Sequence, residues 1–300
     1  MSTCATASLQ RAEPLAATAA TARTWLLLEQ PGPWGADALR ESHLDERLGR
    51  ELSAAAEGTG VRVALIRRPG PHADRGGAGD RRVFVAHTLP GRSWVRTWQT
   101  DDPAALCALD FAALGAGDHT GAGEPYTGDP LALVCTNGRR DRCCALLGRP
   151  LAAELAASGG ANAWEITHIG GHRFSPTLLV LPHGYAYGRV DAPAVKDVLA
   201  ALRRGRVRVG HCRGRSAWER PGQAAELGVR ALTGEEDADA LTLTGVRAGD
   251  DAWTVTVAHR DGRSWRVGVA AVPGPPGAAS CGAAPAPLPR MEVVGVTPLG

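Results

Sequence analysis

The sequence predicts a mixed α/β fold in which short strands alternate with helices and pack as layers. Three observations carry that expectation. Short apolar runs at residues 25–29, 61–66 and 82–87 have the length of buried strands and are bounded by Gly-, Pro- and Asp-rich turns. Between the first two, Leu44, Leu48 and Leu52 recur at i, i+4 and i+8, the period of an amphipathic helix. From residue 131 onward the patterns follow the order β-α-β-β-α.

Taken in order, residues 1–22 are rich in Ala and Thr without an apolar period and read as a mobile tail. The strand at 25–29 leaves through Pro31-Gly32-Pro33, and a helix starts near Ser42, which with Asp45 makes a capping-box-like entry. Gly58 and Gly60 stop it, and strands follow at 61–66, 82–87 and 93–98. The loops Pro31-Gly32-Pro33 and Arg67-Arg68-Pro69-Gly70-Pro71-His72 could form an anion site at strand ends. The first reads better as a turn, and the second as a basic loop able to meet a phosphate-bearing cofactor or an acidic redox partner. Neither has the glycine spacing of a nucleotide-binding loop. Residues 111–129, rich in Gly, Asp, Thr and Pro, suit a linker.

Beyond it, the strand at 131–135 delivers Cys135 at its end, and Pro150 fits the first turn of a helix reaching residue 157. A strand at 164–168, a hairpin over 177–190 and a helix over 193–203 complete the order expected of a thioredoxin-like domain. A helix over 221–232 follows, then strands at 253–257 and 264–269 around the hairpin signal Asp261-Gly262. Residues 272–289, with Cys281 among them, read as loose, and 291–296 as one edge strand. The expected organisation is a tail at 1–22, an N-terminal α/β domain at 23–125, a thioredoxin-like domain at 126–235 and a hairpin extension with a Pro/Gly-rich tail at 236–300.

Composition narrows the function classes. Hydrophobic content of 44% and charged content of 21% are ordinary for a globular protein, and no apolar run approaches the roughly 18 residues a membrane span needs. A net charge of +2 is too small for a nucleic-acid footprint, although nearly every basic residue is arginine and Lys196 is the only lysine. The N-terminus lacks a secretory signal pattern, which places the chain in the cytoplasm. Seven cysteines, an odd number without even spacing, point to reduced thiols or metal ligands rather than a disulfide scaffold.

The densest donor window runs from Cys135 to His172. It holds Cys135, Cys143 and Cys144 at one end and His168-Ile169-Gly170-Gly171-His172 at the other. Thiolate and neutral imidazole are the side-chain donors that hold zinc or iron well. Two glycines between the histidines disfavour a helix and favour a hinged loop that can turn both rings to one point. The eight residues between Cys135 and Cys144 depart from the short spacing of zinc fingers, so zinc is possible but not favoured. Adjacent residues point in different directions, so Cys143 and Cys144 are not expected to bind one ion together.

The run from Val134 through Cys135-Thr136-Asn137-Gly138-Arg139-Arg140-Asp141-Arg142-Cys143-Cys144 to Ala145, then Trp164-Glu165-Ile166-Thr167-His168 to Phe174, Leu181-Pro182-His183-Gly184 and Tyr187-Gly188-Arg189-Val190 resembles the sucrase/ferredoxin-like family. The likeness extends to residues 25–35 and 213–216. It implies a thioredoxin-like ferredoxin carrying a [2Fe-2S] cluster on Cys135, Cys144, His168 and His172, with Cys143 as a substitute for Cys144. Arg140, Asp141 and Arg173 flank these ligands and are expected to tune the cluster from the surrounding shell. Two imidazoles in place of thiolates raise the potential of such a centre. The expected activity is electron transfer with a redox partner protein. The alternatives are thiol-disulfide exchange at Cys143 and Cys144, or a structural zinc module. No carboxylate pair stands out and aromatic content is 5%, so sugar hydrolysis is not expected.

Overall fold

A computed structural model describes residues 3–70, 79–159 and 161–300. The chain is a mixed α/β protein. Helix α1 (Cys4–Gln10) leads through an irregular segment into β1 (Thr24–Glu29). Helix α2 (Glu46–Ala56) then opens on Asp45, whose carboxylate accepts from the Leu48 N–H, satisfying one of the free donors at a helix start. Strands β2 (Val61–Arg67), β3 (Arg81–His87) and β4 (Trp94–Thr100), helix α3 (Phe111–Ala116) and the two-residue β5 (Glu124–Pro125) complete the first half. In the second half β6 (Leu131–Cys135), α4 (Arg149–Ala157), β7 (Asn162–Ile166), β8 (Thr177–Leu181), β9 (Tyr185–Gly188) and α5 (Ala192–Leu202) keep the expected β-α-β-β-α order.

One ten-stranded sheet runs through both halves, in the order β10-β9-β8-β6-β7-β2-β1-β3-β4-β5, with β10 (Cys212–Arg215) at its far edge. Each half repeats the same pairing. β1 runs parallel to β2 and β6 parallel to β7, and each first strand takes an antiparallel neighbour on its other side. The halves meet where β2 and β7 pair antiparallel, Ile66 opposite Ile166 and Arg67 opposite Glu165. The expected division at 125/126 therefore falls within a continuous sheet.

A buried ion pair fastens this seam. Arg67 Nε lies 2.7 Å from Glu165, and Thr136 Oγ1 donates to the same carboxylate at 2.9 Å. Arg67 also donates to the Gly32 carbonyl at 2.6 Å and lies over the Trp34 ring at 4.2 Å. Arg68 covers Trp164 at 3.7 Å. The loop expected to offer a basic anion site thus spends its two arginines on the seam, while its Pro71 and His72 lie outside the described residues.

Apolar side chains fill both faces of the sheet. Leu26, Leu28, Leu65, Val83 and Val85 pack against Leu48 and Leu52 of α2. On the opposite face Trp25, Leu27, Phe84, Leu133, Trp164 and Ile166 form a core that spans the seam and includes Cys135 and Cys144. Helix α6 (Arg220–Thr233) packs Ala225 and Val229 on a separate antiparallel sheet of β11 (Leu241–Ala248), β12 (Ala252–His259), β13 (Ser264–Val272) and β16 (Arg290–Leu299). The C-terminal hairpin and edge strand are thus parts of a four-stranded sheet, and the segment read as loose holds only the short pair β14 (Pro276–Gly277) and β15 (Ala286–Pro287).

The N-terminal segment departs from expectation. Instead of a mobile tail, residues 4–10 form α1 and the following chain is pinned by backbone bonds, Thr18 N–H to Arg213 at 3.1 Å and Ala22 N–H to Ser216 at 2.8 Å. Ala17, Ala19 and Ala22 are buried. Small residues bury little area locally, so the partners that hold them are visible only in the tertiary structure. Similarly, the stretch read as a linker contains α3, capped by Asp110 and closed by Gly117 in the left-handed conformation. Among the described residues no helix is long and apolar enough to cross a membrane.

Candidate metal centre

Cys135 closes β6, and the loop after it returns at Cys144, which opens a wide π-wound turn (Cys144–Gly148) running into α4. Gly148 makes that return possible, because a Cβ there would collide with the Cys135 carbonyl. From the neighbouring parallel strand β7, the chain reaches His168 two residues past Ile166. Gly170 and Gly171 then both take positive φ, +77° and +71°, before His172 starts a short 3-10 turn. The glycine-hinged loop brings the two rings to 5.0 Å between centroids. The Cys135 and Cys144 sulfurs and a His168 ring nitrogen lie within 4.8 Å of one another. His172 stands outside that group, its Nε2 3.5 Å from Asp141 Oδ2.

The electrostatics suit deprotonated sulfur. The Cys144 thiol donates to Cys135, and His168 and the Ile169 N–H add to this against the cost of burial, so the Cys135 pKa is held well down. The same hydrogen bond pushes Cys144 up. Two guanidinium groups stand by. Arg62 donates to the His168 carbonyl at 2.8 Å, and Arg213 donates to the Gly170 carbonyl at 3.0 Å. Burial, with Arg173 nearby, lowers Arg213 to about 10. Burial likewise lowers His172, favouring the neutral imidazole that binds metals.

Buried polar atoms without partners supply a test of fit. His168 Nδ1 is buried and makes no hydrogen bond, and the buried His172 ring, beside the Asp141 carboxylate at 3.5 Å and the Ala279 backbone, is without a well-formed one. Such an atom costs roughly 1–3 kcal/mol, and folded proteins rarely tolerate several together. Two buried thiols beside these nitrogens form a donor set that fits zinc or an iron–sulfur cluster.

The other expected residues divide. Cys143 faces away from Cys144 and joins Cys4, Cys281 and Asp141 in a second group. Asp141 is buried between the two groups; burial pushes its pKa up, but the backbone N–H groups of Cys281 and Cys143 outweigh that and lower it. Arg140 is exposed and borders an open cavity that His168 also lines. Arg173 turns to Glu13 at 2.7 Å and covers Phe174, so it reaches the N-terminal segment rather than the donors.

The profile of the sucrase/ferredoxin-like family matches residues 15–214, two-thirds of the 300-residue chain. The chain belongs to the sucrase/ferredoxin-like family. No curated protein and no solved structure matches it. The family segment contains Cys135, Cys144, His168 and His172, whereas Cys4 and Cys281 lie outside it. Sequence reasoning passed over those two cysteines and also Arg62 and Arg213. The sequence signal for the cysteines was a count that left four of seven (Cys4, Cys107, Cys212 and Cys281) without a role.

Proposed function

We propose that this member of the sucrase/ferredoxin-like family is an electron-transfer protein whose [2Fe-2S] cluster is held by Cys135, Cys144, His168 and His172. The observation that carries the proposal is the convergence of two buried thiols and His168 within 4.8 Å, with His168 Nδ1 buried and without a hydrogen bond. When bound, the cluster supplies one-electron chemistry at a potential raised by its neutral imidazole ligands. The chain's own residues set the conditions. The Ile169 N–H points at the Cys135 sulfur, Arg62 and Arg213 offset thiolate charge, and the Gly170-Gly171 hinge fixes the spacing of the rings. His168 lines a cavity open to solvent with Asn137, Arg140 and Thr167, and this is the face a redox partner protein would meet.

Thiol-disulfide exchange between Cys143 and Cys144 is a weaker reading, because their sulfurs belong to different groups. A zinc ion on the same donors is separated from the cluster by chemistry. Anaerobically purified protein should be red-brown and contain about two irons and two acid-labile sulfides per chain. Cys144→Ala should abolish both, and His168→Ala should remove the cluster or shift its spectrum. Colourless protein holding zinc instead of iron at this site would overturn the proposal.

A further inference from the structure

Three cysteines from distant parts of the chain converge, Cys4 and Cys281 from outside the family segment and Cys143 from within it. Cys4 Sγ lies 3.4 Å from Cys143 Sγ, Cys143 3.2 Å from Cys281, and Cys281 3.5 Å from Cys4. The Asp141 carboxylate oxygens stand 3.8 and 3.9 Å from Cys4 Sγ. We propose that Cys4, Cys143, Cys281 and Asp141 form a second, structural metal site for a thiophilic tetrahedral cation of the zinc class, distinct from the cluster site and adjoining it through Asp141.

The distances discriminate between a metal and a disulfide. Four ligands around zinc, at about 2.3 Å for sulfur and about 2.0 Å for oxygen, place sulfurs about 3.8 Å apart and sulfur and oxygen about 3.5 Å apart. Small side-chain rotations convert the observed spacing to that shape. A disulfide would need one pair to close to about 2.05 Å, and three mutually equivalent thiols cannot all pair. Donors are in place for thiolate and carboxylate. The Ala5 N–H and the Thr3 side chain reach Cys143, and the N–H groups of Cys143 and Cys281 each donate to Asp141 at 2.8 Å. Arg139, Arg140 and Arg142 line the adjoining cavity and can offset the net negative charge of three thiolates and one carboxylate around a divalent ion. On binding, each thiol loses its proton to solvent and three metal–sulfur bonds and one metal–oxygen bond replace water on the ion.

The site would staple α1 and the 278–283 loop onto the loop between Cys135 and Cys144. Metal content read on the full chain tests this. Cys144→Ala should lose iron yet keep about one zinc per chain, whereas Cys4→Ser and Cys281→Ser should lose that zinc and keep the iron and its spectrum. If those variants fold poorly, wild-type protein stripped by a chelator and titrated with cobalt(II) should develop thiolate-to-cobalt charge-transfer bands. Protease should cut within residues 278–283 at least tenfold faster in the stripped form. Retention of zinc in the Cys4→Ser/Cys281→Ser double variant would overturn the assignment. So would a disulfide among these cysteines in anaerobically purified protein, or wild type that takes up neither zinc nor cobalt here. The failure of the cluster reading would show separately, as absent iron in protein that keeps this zinc.

Discussion

Replacing Arg67 with methionine removes one half of the ion pair that fastens β2 to β7 while keeping an apolar stem over Trp34. Glu165 is then left buried with Thr136 Oγ1 as its remaining described side-chain donor, because the 2.7 Å contact to Arg67 Nε is gone. Both partners are at most 6% exposed, so water cannot replace the lost charge. Stranding one member of such a pair costs about 3–5 kcal/mol, whereas removing both members together is often close to neutral. Arg67→Met should therefore lower stability by about 3–5 kcal/mol, and Arg67→Met/Glu165→Gln should recover at least half of that. Urea titrations of wild type, both single variants and the double variant, followed by far-ultraviolet circular dichroism, complete the cycle. With a slope of about 3 kcal/mol/M, the Arg67→Met midpoint should fall by roughly 1–1.7 M. A loss below about 1 kcal/mol in the single variant, or a double variant that equals the sum of the singles, would refute the reasoning.

Gly171 sits at φ +71°, and a Cβ there would collide with the Arg213 guanidinium, whereas at Gly170 the nearest atom is Ala20 Cβ at 3.7 Å. Gly171→Ala should therefore cost more than the roughly 1–2 kcal/mol of left-handed strain and displace His172, seen as lost iron, while Gly170→Ala should show the strain alone in thermal unfolding. His87 gives a pH dependence. Thr24 Oγ1 donates to the Leu114 carbonyl, so His87 Nδ1 must carry the proton it shares with Thr24 at 2.8 Å, and Nε2 is buried without a partner. Burial, with Arg92 and Arg23, lowers the His87 pKa to about 4. The unfolded chain then binds the proton first, so stability is full above about pH 6.5 and falls toward pH 4, by about 2 kcal/mol at pH 5. His87→Asn keeps a donor to Thr24 and should lose that much less between pH 7.5 and 5; parallel losses in urea titrations would sink the assignment.

What the sequence could reveal tracks how local its cause is. The leucine spacing at 44, 48 and 52 locates α2 because helix formation is decided within a few residues, but Asp45 rather than Ser42 caps it, so the helix starts at Glu46 and Leu44 precedes it. The nearness of Cys135 to His168 was suggested by donor density and the family resemblance, and its physical cause, parallel strands β6 and β7 that deliver both residues to one edge of the sheet, is visible in the structure. The direction of Cys143 was not, since it depends on how the loop returns across Gly148. Cys4 and Cys281 were invisible for a different reason. They are 277 positions apart, and the alanine-rich chain that brings Cys4 inward is held by backbone bonds to Arg213 and Ser216 that no local period encodes.

The repeated pairing within the large sheet makes the two halves interchangeable by a half-turn about the Ile66–Ile166 pair. That operation carries Cys135, opposite Ile166, onto Glu29, opposite Ile66, and His168, two residues past its strand partner, onto Arg68. The duplicated scaffold therefore offers two equivalent seats, of which one is furnished with soft donors and the other with a carboxylate and a guanidinium. Glu29 is occupied with the Arg82 N–H at 3.0 Å and Arg68 with the Trp164 ring. The half-turn keeps both seats on the same face of the sheet, so the strand pairing repeats while the chemistry does not: imidazole and buried thiol donors stand at one seat, and a charged pair at the other.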